Sequence, residues 1–317
     1  MTTAQQRPGA RIVGTGHFQP LRVVTNDEIA ELVDTDDAWI RQRVGIVTRR
    51  FADTETVADM AAEAARSALR DAGIDASQVD LVIVATTTYL NRSPSAAGRV
   101  IGNLGLHGAT GFDVNAACSG FVHALETARQ LLAGGSARTA VVIGSERMTD
   151  VTDWTDRSTC ILVGDGAGAV VLQAAEQDEL GPVVWGTVPD LTDAVRIEVP
   201  DLTFAQDGRK VFRWAITEAA DHARRALELA GVRPEEIAAF VPHQANLRII
   251  NPLIEHLGLT DAVTATDITE SGNTSAASIP LALSKLRERH ALASGAPMLL
   301  FGFGGGFSYA ALVAQAP

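Results

Sequence analysis

The sequence predicts an α/β protein with five layers, αβαβα, in which two duplicated βα halves are related by a pseudo-twofold axis. The first observation is an internal repeat: RSALRDAGIDASQVDLVIVA from Arg66 returns as RRALELAGVRPEEIAAFVPH from Arg224, an offset of 158 residues. Two further pairs of similar segments occur in the same order in the two halves. GFDVNAACSGFVHAL is similar to TATDITESGNTSAASIPLAL, and GDGAGAVVL is similar to GGGFSYAAL. Three matches in one order indicate a duplicated unit.

The elements follow from apolar runs and amphipathic periods along the chain. In the first half, strands are predicted at Arg11–Gly16, Leu81–Thr86, Phe112–Ala116, Ala140–Gly144 and Ala169–Gln173, with helices at Val57–Ala72 and Ser119–Ala133. In the second half, strands are predicted at Ala238–Pro242, Val263–Asp267, Met298–Gly302 and Ala310–Val313, with helices at Val211–Ala230, Leu247–His256 and Ser278–Arg289. Strands that alternate with helices predict mostly parallel sheets covered on both faces. The polar stretch AAEQDELGP places the boundary between the halves, 1–175 and 176–317, near residue 175.

Composition excludes several classes of function. The formal net charge is -12 and the pI is about 5.0, which argues against binding to nucleic acid or to an anionic membrane. No run of 18 apolar residues is present, and the N-terminal MTTAQQRPGARIVG lacks an apolar signal core, so we expect a cytoplasmic protein. The two cysteines are expected to be free thiols.

Cys118 is the first candidate for chemistry. It sits where an apolar strand ends and a helix begins, in DVNAACSGFVHAL, and small neighbours leave room for a substrate. The positive end of a helix dipole favours thiolate. The alternative is a buried structural cysteine, which is the interpretation we favour for Cys160 at the start of an apolar strand.

His243 and Asn273 are the other two candidates. His243, in AAFVPHQANLRII, follows a strand at the sheet edge where open α/β proteins place their sites. The remaining histidines are predicted to be surface or helix-face residues: His17, His107, His123, His222, His256 and His290. Asn273, in ESGNTSAAS, occupies the position that the Cys118 turn holds in the first half, so the two turns are expected to face each other. A simple helix N-cap is the alternative for Asn273.

The glycine-rich FGFGGGFSYAAL is predicted to be a tight turn, and a backbone amide there could point at an oxyanion. A strand rather than a helix follows it, so it does not fit a dinucleotide fingerprint. No metal-ligand spacing and no Walker sequence occur.

Four separated motifs in one order resemble the β-ketoacyl-acyl-carrier-protein synthase III family: ACSGF, PHQAN, GNTSAAS and GFGGGFSYA. DDAWIRQRVGI, PSAAGRVIGNLG and DRSTCILVGDGAGAVVL extend the resemblance over nearly the whole chain. The resemblance implies a thiolase-like fold, a homodimer, and condensation of an acyl-CoA with malonyl-acyl-carrier protein in fatty-acid or polyketide initiation.

The roles of individual residues are likewise implied by the resemblance. Cys118 would carry the acyl group, His243 and Asn273 would stabilise the enolate formed on decarboxylation, and the backbone amides of Cys118 and Gly305 would form the oxyanion hole. No cofactor would be needed, because acyl-CoA is a substrate. The positions that match the family's CoA contacts are Trp39, Arg43, Arg157 and Asn246, and Arg248 matches its carrier-docking residue.

Two departures concern the acyl group. Ser93 stands where the family commonly has a bulky aromatic that reaches the partner's acyl pocket, and Gln206 stands where methionine is common. The smaller Ser93 predicts an acyl group larger than acetyl, either branched, longer or polar. A non-decarboxylating acyltransferase of a secondary-metabolite pathway is the alternative function. Asn273 favours condensation over that alternative, because an enolate needs a neutral donor.

Overall fold

The computed structural model describes residues 9–289 and 292–317. Residues 1–8 and 290–291, which include His290 and most of the N-terminal segment considered above, lie outside these ranges. The first half of the chain forms β1 (Gly9–Phe18), β2 (Arg22–Thr25), α1 (Asn26–Ala30), α2 (Asp37–Val44), β3 (Thr48–Phe51), α3 (Val57–Ala72), β4 (Leu81–Ala85), α4 (Ala96–Leu104), β5 (Thr110–Val114), α5 (Gly120–Ala133), β6 (Thr139–Arg147), α6 (Arg157–Cys160) and β7 (Asp165–Ala175).

The second half forms β8 (Val184–Thr187), β9 (Val195–Glu198), β10 (Thr203–Gln206), α7 (Gly208–Thr217), α8 (Ala219–Ala230), β11 (Ala239–Pro242), α9 (Leu247–Leu257), β12 (Val263–Thr264), α10 (Ile268–Ser271), α11 (Ser278–Glu288), β13 (Pro297–Phe303) and β14 (Ser308–Gln315). No helix in either described range combines the length and the apolarity that crossing a bilayer requires.

Two five-stranded sheets with the same topology confirm the predicted duplication. Their orders are β1-β7-β6-β4-β5 and β8-β14-β13-β11-β12. In each sheet, the last three strands in this order are parallel to one another. Each of the first two strands runs antiparallel to the strand that follows it in the order. The predicted boundary near residue 175 falls between β7 and β8, at the change from one sheet to the other. The division of the chain into two domains at that residue stays a prediction.

The layers follow from which face each helix covers. Helices α5 and α11 lie between the two sheets and bury alanine, leucine and isoleucine side chains against both. Helices α3 and α4 cover the outer face of the first sheet, and α7, α8 and α9 cover the second. The resulting order is the five-layer αβαβα arrangement that the sequence predicts.

Several boundaries differ from the predictions. The single helix predicted at Val211–Ala230 is wrong, because Glu218 leaves the helical conformation with φ −122° and separates α7 from α8. The strand predicted to reach Asp267 ends at Thr264, since the chain turns into α10. The β9–β10 hairpin and the edge strand β8 were not predicted. Both are short and half-exposed, so they lack a long apolar run.

Candidate active site

Three residues from different parts of the chain meet at one cavity. Cys118, His243 and Asn273 all line a cavity of about 800 Å³ that opens past α2, α6, α7 and α9. Cys118 and Asn273 also line a second cavity of about 510 Å³. The structure therefore brings together the three residues that the sequence singled out, at the junction of two cavities.

The Cys118 turn is tight and partly strained. Ala117 has a φ of 43°, a left-handed conformation that non-glycine residues rarely adopt, and α5 begins two residues after the cysteine. Burial raises the pKa of the Cys118 thiol, while the nearby Ser275 hydroxyl and the Gly305 N–H act in the opposite direction. The predicted preference for thiolate at the helix N-terminus is thus outweighed by desolvation, and the resting thiol is protonated.

His243 is a neutral hydrogen-bond donor. It follows β11, its N–H donates to the Phe301 carbonyl at 2.7 Å, and its Nδ1 lies 2.8 Å from Ser278 Oγ. The Ser278 oxygen accepts the Gln244 N–H at 3.3 Å, and among the described residues Nδ1 is the acceptor left for the Ser278 hydroxyl proton. This network assigns the ring proton to Nε2. Burial lowers the pKa of His243 to about 3, which keeps the ring neutral.

Asn273 presents its amide NH₂ group to the cavity. Its Oδ1 accepts the Ser275 N–H at 2.9 Å, which leaves Nδ2 free to donate. The N-cap alternative is wrong, because α11 begins at Ser278 without a side-chain cap. Its counterpart Asn115 makes the same turn, with Oδ1 accepting the Ala117 N–H at 3.3 Å. Asn115 and Asn273 are 158 residues apart, and the two turns pack against each other as predicted.

The glycine-rich segment closes over the cysteine. A Cβ on Gly304 would lie 2.6 Å from Cys118 Sγ, so only glycine fits there without displacing the nucleophile. The neighbouring Gly305 directs its N–H toward the thiol. This position suits the predicted oxyanion hole.

Replacing Gly304 with alanine is therefore expected to lower turnover about 100-fold, the typical effect of moving a reacting group by about 1 Å. Gly102→Ala is the matched control, because a Cβ there meets nothing within 4 Å. Steady-state kinetics and thermal unfolding of both variants test this. Full activity of Gly304→Ala would show that the close approach to Sγ has no effect on catalysis.

The residues predicted to contact CoA line the larger cavity together: Trp39, Arg43, Arg157 and Asn246. Arg248, predicted to dock the carrier protein, lines the same cavity. The Arg157 guanidinium lies 5.0 Å from the Trp39 ring centroid, and its Nη1 donates to the Asp34 carbonyl. The Asn246 side chain caps α9 by accepting the Arg248 N–H at 2.9 Å. Asn246 thus has a structural role beside its predicted one.

The predicted acyl-pocket residues do not meet at one place. Ser93 is exposed and lines neither cavity in this chain, while Gln206 lines the larger cavity and donates to the Ser158 carbonyl at 3.4 Å. The smaller cavity behind Cys118 is lined instead by residues that the sequence analysis missed, among them Thr87, His123, Met148, Val195 and Phe204. Val195 and Phe204 belong to the unpredicted β9–β10 hairpin, so no sequence signal pointed to them.

Among the other described histidines, His17 departs from the surface or helix-face prediction, because it lies in β1 and is half-buried, with Nδ1 2.9 Å from Ser284 Oγ. His123 and His222 are half-buried on helices α5 and α8, and His123 Nδ1 lies 3.0 Å from the Ser119 carbonyl. No cluster of three His, Cys, Asp or Glu side chains in residues 9–289 and 292–317 is arranged to hold a metal ion.

Comparison of the chain with known proteins identifies the family to which it is similar. Residues 112–189 match the model of 3-oxoacyl-[acyl-carrier-protein (ACP)] synthase III, and residues 227–316 match the model of its C-terminal part. A Streptomyces coelicolor protein, β-ketoacyl-[acyl-carrier-protein] synthase III 4, is 53% identical over 98% of this chain and 99% of its own.

The chain belongs to the 3-oxoacyl-[acyl-carrier-protein] synthase III family.

Further relatives extend the comparison within the synthase III family. The Mycobacterium tuberculosis synthase III is 46% identical over 100% of this chain and 99% of its own. Among solved structures, the priming β-ketosynthase from the R1128 polyketide pathway aligns with a TM-score of 0.95 at 40% identity, covering 99% and 98% of the two chains. The Aquifex aeolicus synthase III aligns with a TM-score of 0.93 at 40% identity, covering 97% and 100%. The chain is therefore an acyl-transferring condensing enzyme with the thiolase fold.

Proposed function

We propose that this synthase III joins an acyl group from an acyl-CoA to the malonyl carbon of malonyl-acyl-carrier protein, with loss of carbon dioxide, to start fatty-acid or polyketide synthesis. The observation that carries the proposal is the pair of neutral donors, His243 Nε2–H and Asn273 Nδ2–H, on the cavity that contains Cys118. Neutral donors suit an enolate oxygen, which gains negative charge as carbon dioxide leaves.

The first half of the reaction is acyl transfer to Cys118. The Cys118 thiol gives up its proton as its sulfur attacks the thioester carbonyl of acyl-CoA, the bond to the CoA sulfur breaks, and an acyl-cysteine forms. The departing CoA thiolate takes up a proton, so the step is balanced. The N–H groups of Cys118 and Gly305 stabilise the tetrahedral oxyanion. One such donor typically contributes about 3–4 kcal/mol to transition-state stability.

The second half is decarboxylation and condensation. His243 and Asn273 donate hydrogen bonds to the thioester oxygen of malonyl-acyl-carrier protein while its carboxylate departs as carbon dioxide. The resulting enolate carbon attacks the acyl carbonyl on Cys118, and the cysteine sulfur leaves. Because His243 has a pKa of about 3, it acts as a neutral donor throughout the physiological range and not as an acid. No cofactor takes part in this scheme, and we place the enzyme in the cytoplasm.

A non-decarboxylating acyltransferase is the alternative function. Activating an alcohol or amine acceptor requires a base beside the acyl-cysteine. His243 Nε2 already carries a proton, and Asn273 has no basic group to offer. The two side chains therefore favour condensation.

The acyl group that the enzyme prefers is proposed to be larger than acetyl. The cavity of about 510 Å³ behind Cys118 extends well beyond the space of two carbons, and Ser93 is smaller than the aromatic expected at its position. We expect kcat/KM with branched four- or five-carbon acyl-CoAs to exceed kcat/KM with acetyl-CoA about 15- to 60-fold, since two to three buried methylenes add about 0.8 kcal/mol each in the absence of strain. Competition between acyl-CoAs of two to twelve carbons measures this. Exclusive use of acetyl-CoA would contradict the proposal.

Carrier-protein docking is proposed at a basic patch, defined as Arg43, Arg209, Lys210, Arg213 and Arg248, beside the mouth of the larger cavity. All five side chains are exposed, and three of them line the cavity. The chain is acidic overall, with a net charge of -12, so an acidic carrier needs such a local patch.

Reversing one charge tests the patch. Arg213→Glu is expected to lower kcat/KM for malonyl-acyl-carrier protein about 10-fold at low salt, less at high salt, and to leave acylation by acyl-CoA unchanged. Arg70→Glu, on the opposite outer helix α3, is the matched control. An equal loss in both half-reactions would mean that Arg213 does not take part in docking the carrier protein.

We also propose that two chains form a homodimer through β5. This strand pairs only with β4 among the described residues, and its Phe112 is 38% exposed. An open strand edge with an exposed aromatic side chain is suited to pairing with a second copy. Such a dimer would also bring Ser93 of one copy toward the other copy's acyl cavity, as the family resemblance implies.

A further inference from the structure

Arg49 is a buried arginine that lines neither cavity and has no part in the mechanism above. It lies in β3, and the whole residue is inaccessible to solvent. Burial lowers the pKa of its guanidinium to about 10, which still leaves the group charged at neutral pH. A buried charge is costly unless it is paired or hydrogen-bonded. The groups that the guanidinium binds therefore indicate its role.

Both hydrogen-bond acceptors of the Arg49 guanidinium are neutral. Its Nη1 donates to Asn26 Oδ1 at 2.7 Å and its Nη2 donates to the Ile161 carbonyl at 2.8 Å, while its Nε has no partner among the described residues. Asn26 is itself held in place, because its Nδ2 donates to the Asp37 carboxylate at 2.8 Å and to the Ile46 carbonyl at 2.9 Å. The guanidinium is thus oriented by Asn26 on one side and binds Ile161 on the other.

The segment that Arg49 binds is the one that holds Asn273. Ile161 directly follows α6. Beyond it, the Leu162 carbonyl accepts the Asn273 N–H at 2.7 Å, and the Gly164 N–H donates to the Asn273 carbonyl at 3.1 Å. These two bonds make up an isolated parallel β-bridge at Asn273. The backbone of Asn273 is therefore fixed by the segment whose first carbonyl binds the guanidinium.

The aliphatic part of Arg49 packs against the same β-bridge. A Cβ on Gly272, which has a φ of 68°, would lie 3.0 Å from the Leu162 carbonyl oxygen and 3.2 Å from Arg49 Cβ. A Cβ on Gly164 would lie 3.4 Å from Arg49 Cβ. Arg49 thus contacts both sides of the bridge at positions where no side chain intervenes. Its stem and its Nη2 together support the backbone on which Asn273 is mounted.

We propose that Arg49 is a positioning residue for Asn273; this role rests on the proposed condensing function. The guanidinium holds the Ile161 carbonyl, the peptide groups that follow hold the Asn273 backbone, and the Asn273 Nδ2–H is thereby directed at the thioester oxygen of malonyl-acyl-carrier protein. Arg49 itself does not touch the substrate. Acyl transfer to Cys118 makes no use of Asn273, so the decarboxylating half-reaction is the one that depends on Arg49.

The test compares two rates in the same preparation of each variant. Acyl-Cys118 formation is followed by quench and intact mass spectrometry, and carbon dioxide release is followed with malonyl-acyl-carrier protein, both at saturating substrate. We expect Arg49→Met to lower the ratio of carbon dioxide release to acylation about 10-fold, which is less than the roughly 100-fold effect of a displacement of about 1 Å. Partial misfolding does not change this ratio, because an inactive fraction lowers both rates equally.

Two further variants separate positioning from a general structural role. Arg129→Met is the matched control, because the Arg129 side chain is only 14% exposed but pairs with Glu126 and Asp178 and lines neither cavity. We expect it to lower thermal stability and to leave the ratio unchanged. Arg49→Lys keeps the positive charge, but one nitrogen cannot occupy both Nη positions, so we expect a smaller fall of about 3-fold.

A double-mutant cycle with Asn273→Ala tests whether Arg49 acts through Asn273. If it does, Arg49→Met has no further effect on carbon dioxide release once the Asn273 side chain is removed, whereas the effects of independent sites multiply. An unchanged ratio in Arg49→Met, an equal fall in Arg129→Met, or a further loss in the double variant would overturn the assignment. If Arg49→Met does not fold, Arg49→Lys is judged by the same criteria. Failure of the wild type to release carbon dioxide would instead overturn the proposed function, so the two failures are distinguishable.

Discussion

Cys118→Ala is expected to abolish both acylation and condensation, a loss of at least about 10⁴-fold, because Cys118 is the one thiol among the described residues that line the two cavities. Cys160→Ala is the matched control. Cys160 is equally buried but lines neither cavity, and burial raises the pKa of its thiol to about 11. We therefore expect the control to keep its activity and to lose at most a little stability.

Mass spectrometry of the protein after exposure to acyl-CoA is the direct readout for both cysteine variants. The acyl adduct is expected in the wild type and in Cys160→Ala, and its mass should be absent from Cys118→Ala. An adduct that persists in Cys118→Ala would place the nucleophile elsewhere and would contradict the assignment of the site.

His243→Ala and Asn273→Ala are expected to lower the rate of condensation by about 10²- to 10³-fold each, while leaving acylation of Cys118 close to the wild-type rate. Each removes one neutral donor to the enolate, and the loss of a donor of this kind has that typical size. Neither donor is needed when CoA is the leaving group. The two half-reactions should therefore separate in these variants.

Release of carbon dioxide from malonyl-acyl-carrier protein, measured beside acyl-enzyme formation, tests this separation. His256→Ala and Asn103→Ala serve as controls, since both residues are exposed and lie outside both cavities. Equal losses in the two half-reactions would mean that His243 and Asn273 support the structure of the site and not the decarboxylation step.

The sequence predicted the core of the fold because duplication and apolar periodicity are local signals. The repeat that begins at Arg66 covers α3 and β4, and its second copy from Arg224 covers α8 and β11. Strands β4 and β11 occupy the same position in the order of their two sheets. The same repeat relates the Cys118 turn to the Asn273 turn, so a short motif comparison predicted that they face each other.

What the sequence did not predict depends on packing across the chain. The pKa of the Cys118 thiol is raised because the turn is buried between the two halves, and a helix-terminus argument does not include that desolvation. The proton on His243 Nε2 is set by Ser278, which lies 35 residues away on α11. The wall of the smaller cavity comes from the β9–β10 hairpin, whose half-exposed strands lack a clear period.

Product analysis is the measurement that tests the central claim most directly. Wild type and Cys118→Ala are each given a mixture of acyl-CoAs with malonyl-acyl-carrier protein, and the carrier-bound products are identified by mass spectrometry. We predict a β-ketoacyl-carrier product two carbons longer than the preferred acyl group, made by the wild type and absent with the variant. Acyl-Cys118 without any lengthened product would contradict condensation and support the acyltransferase alternative.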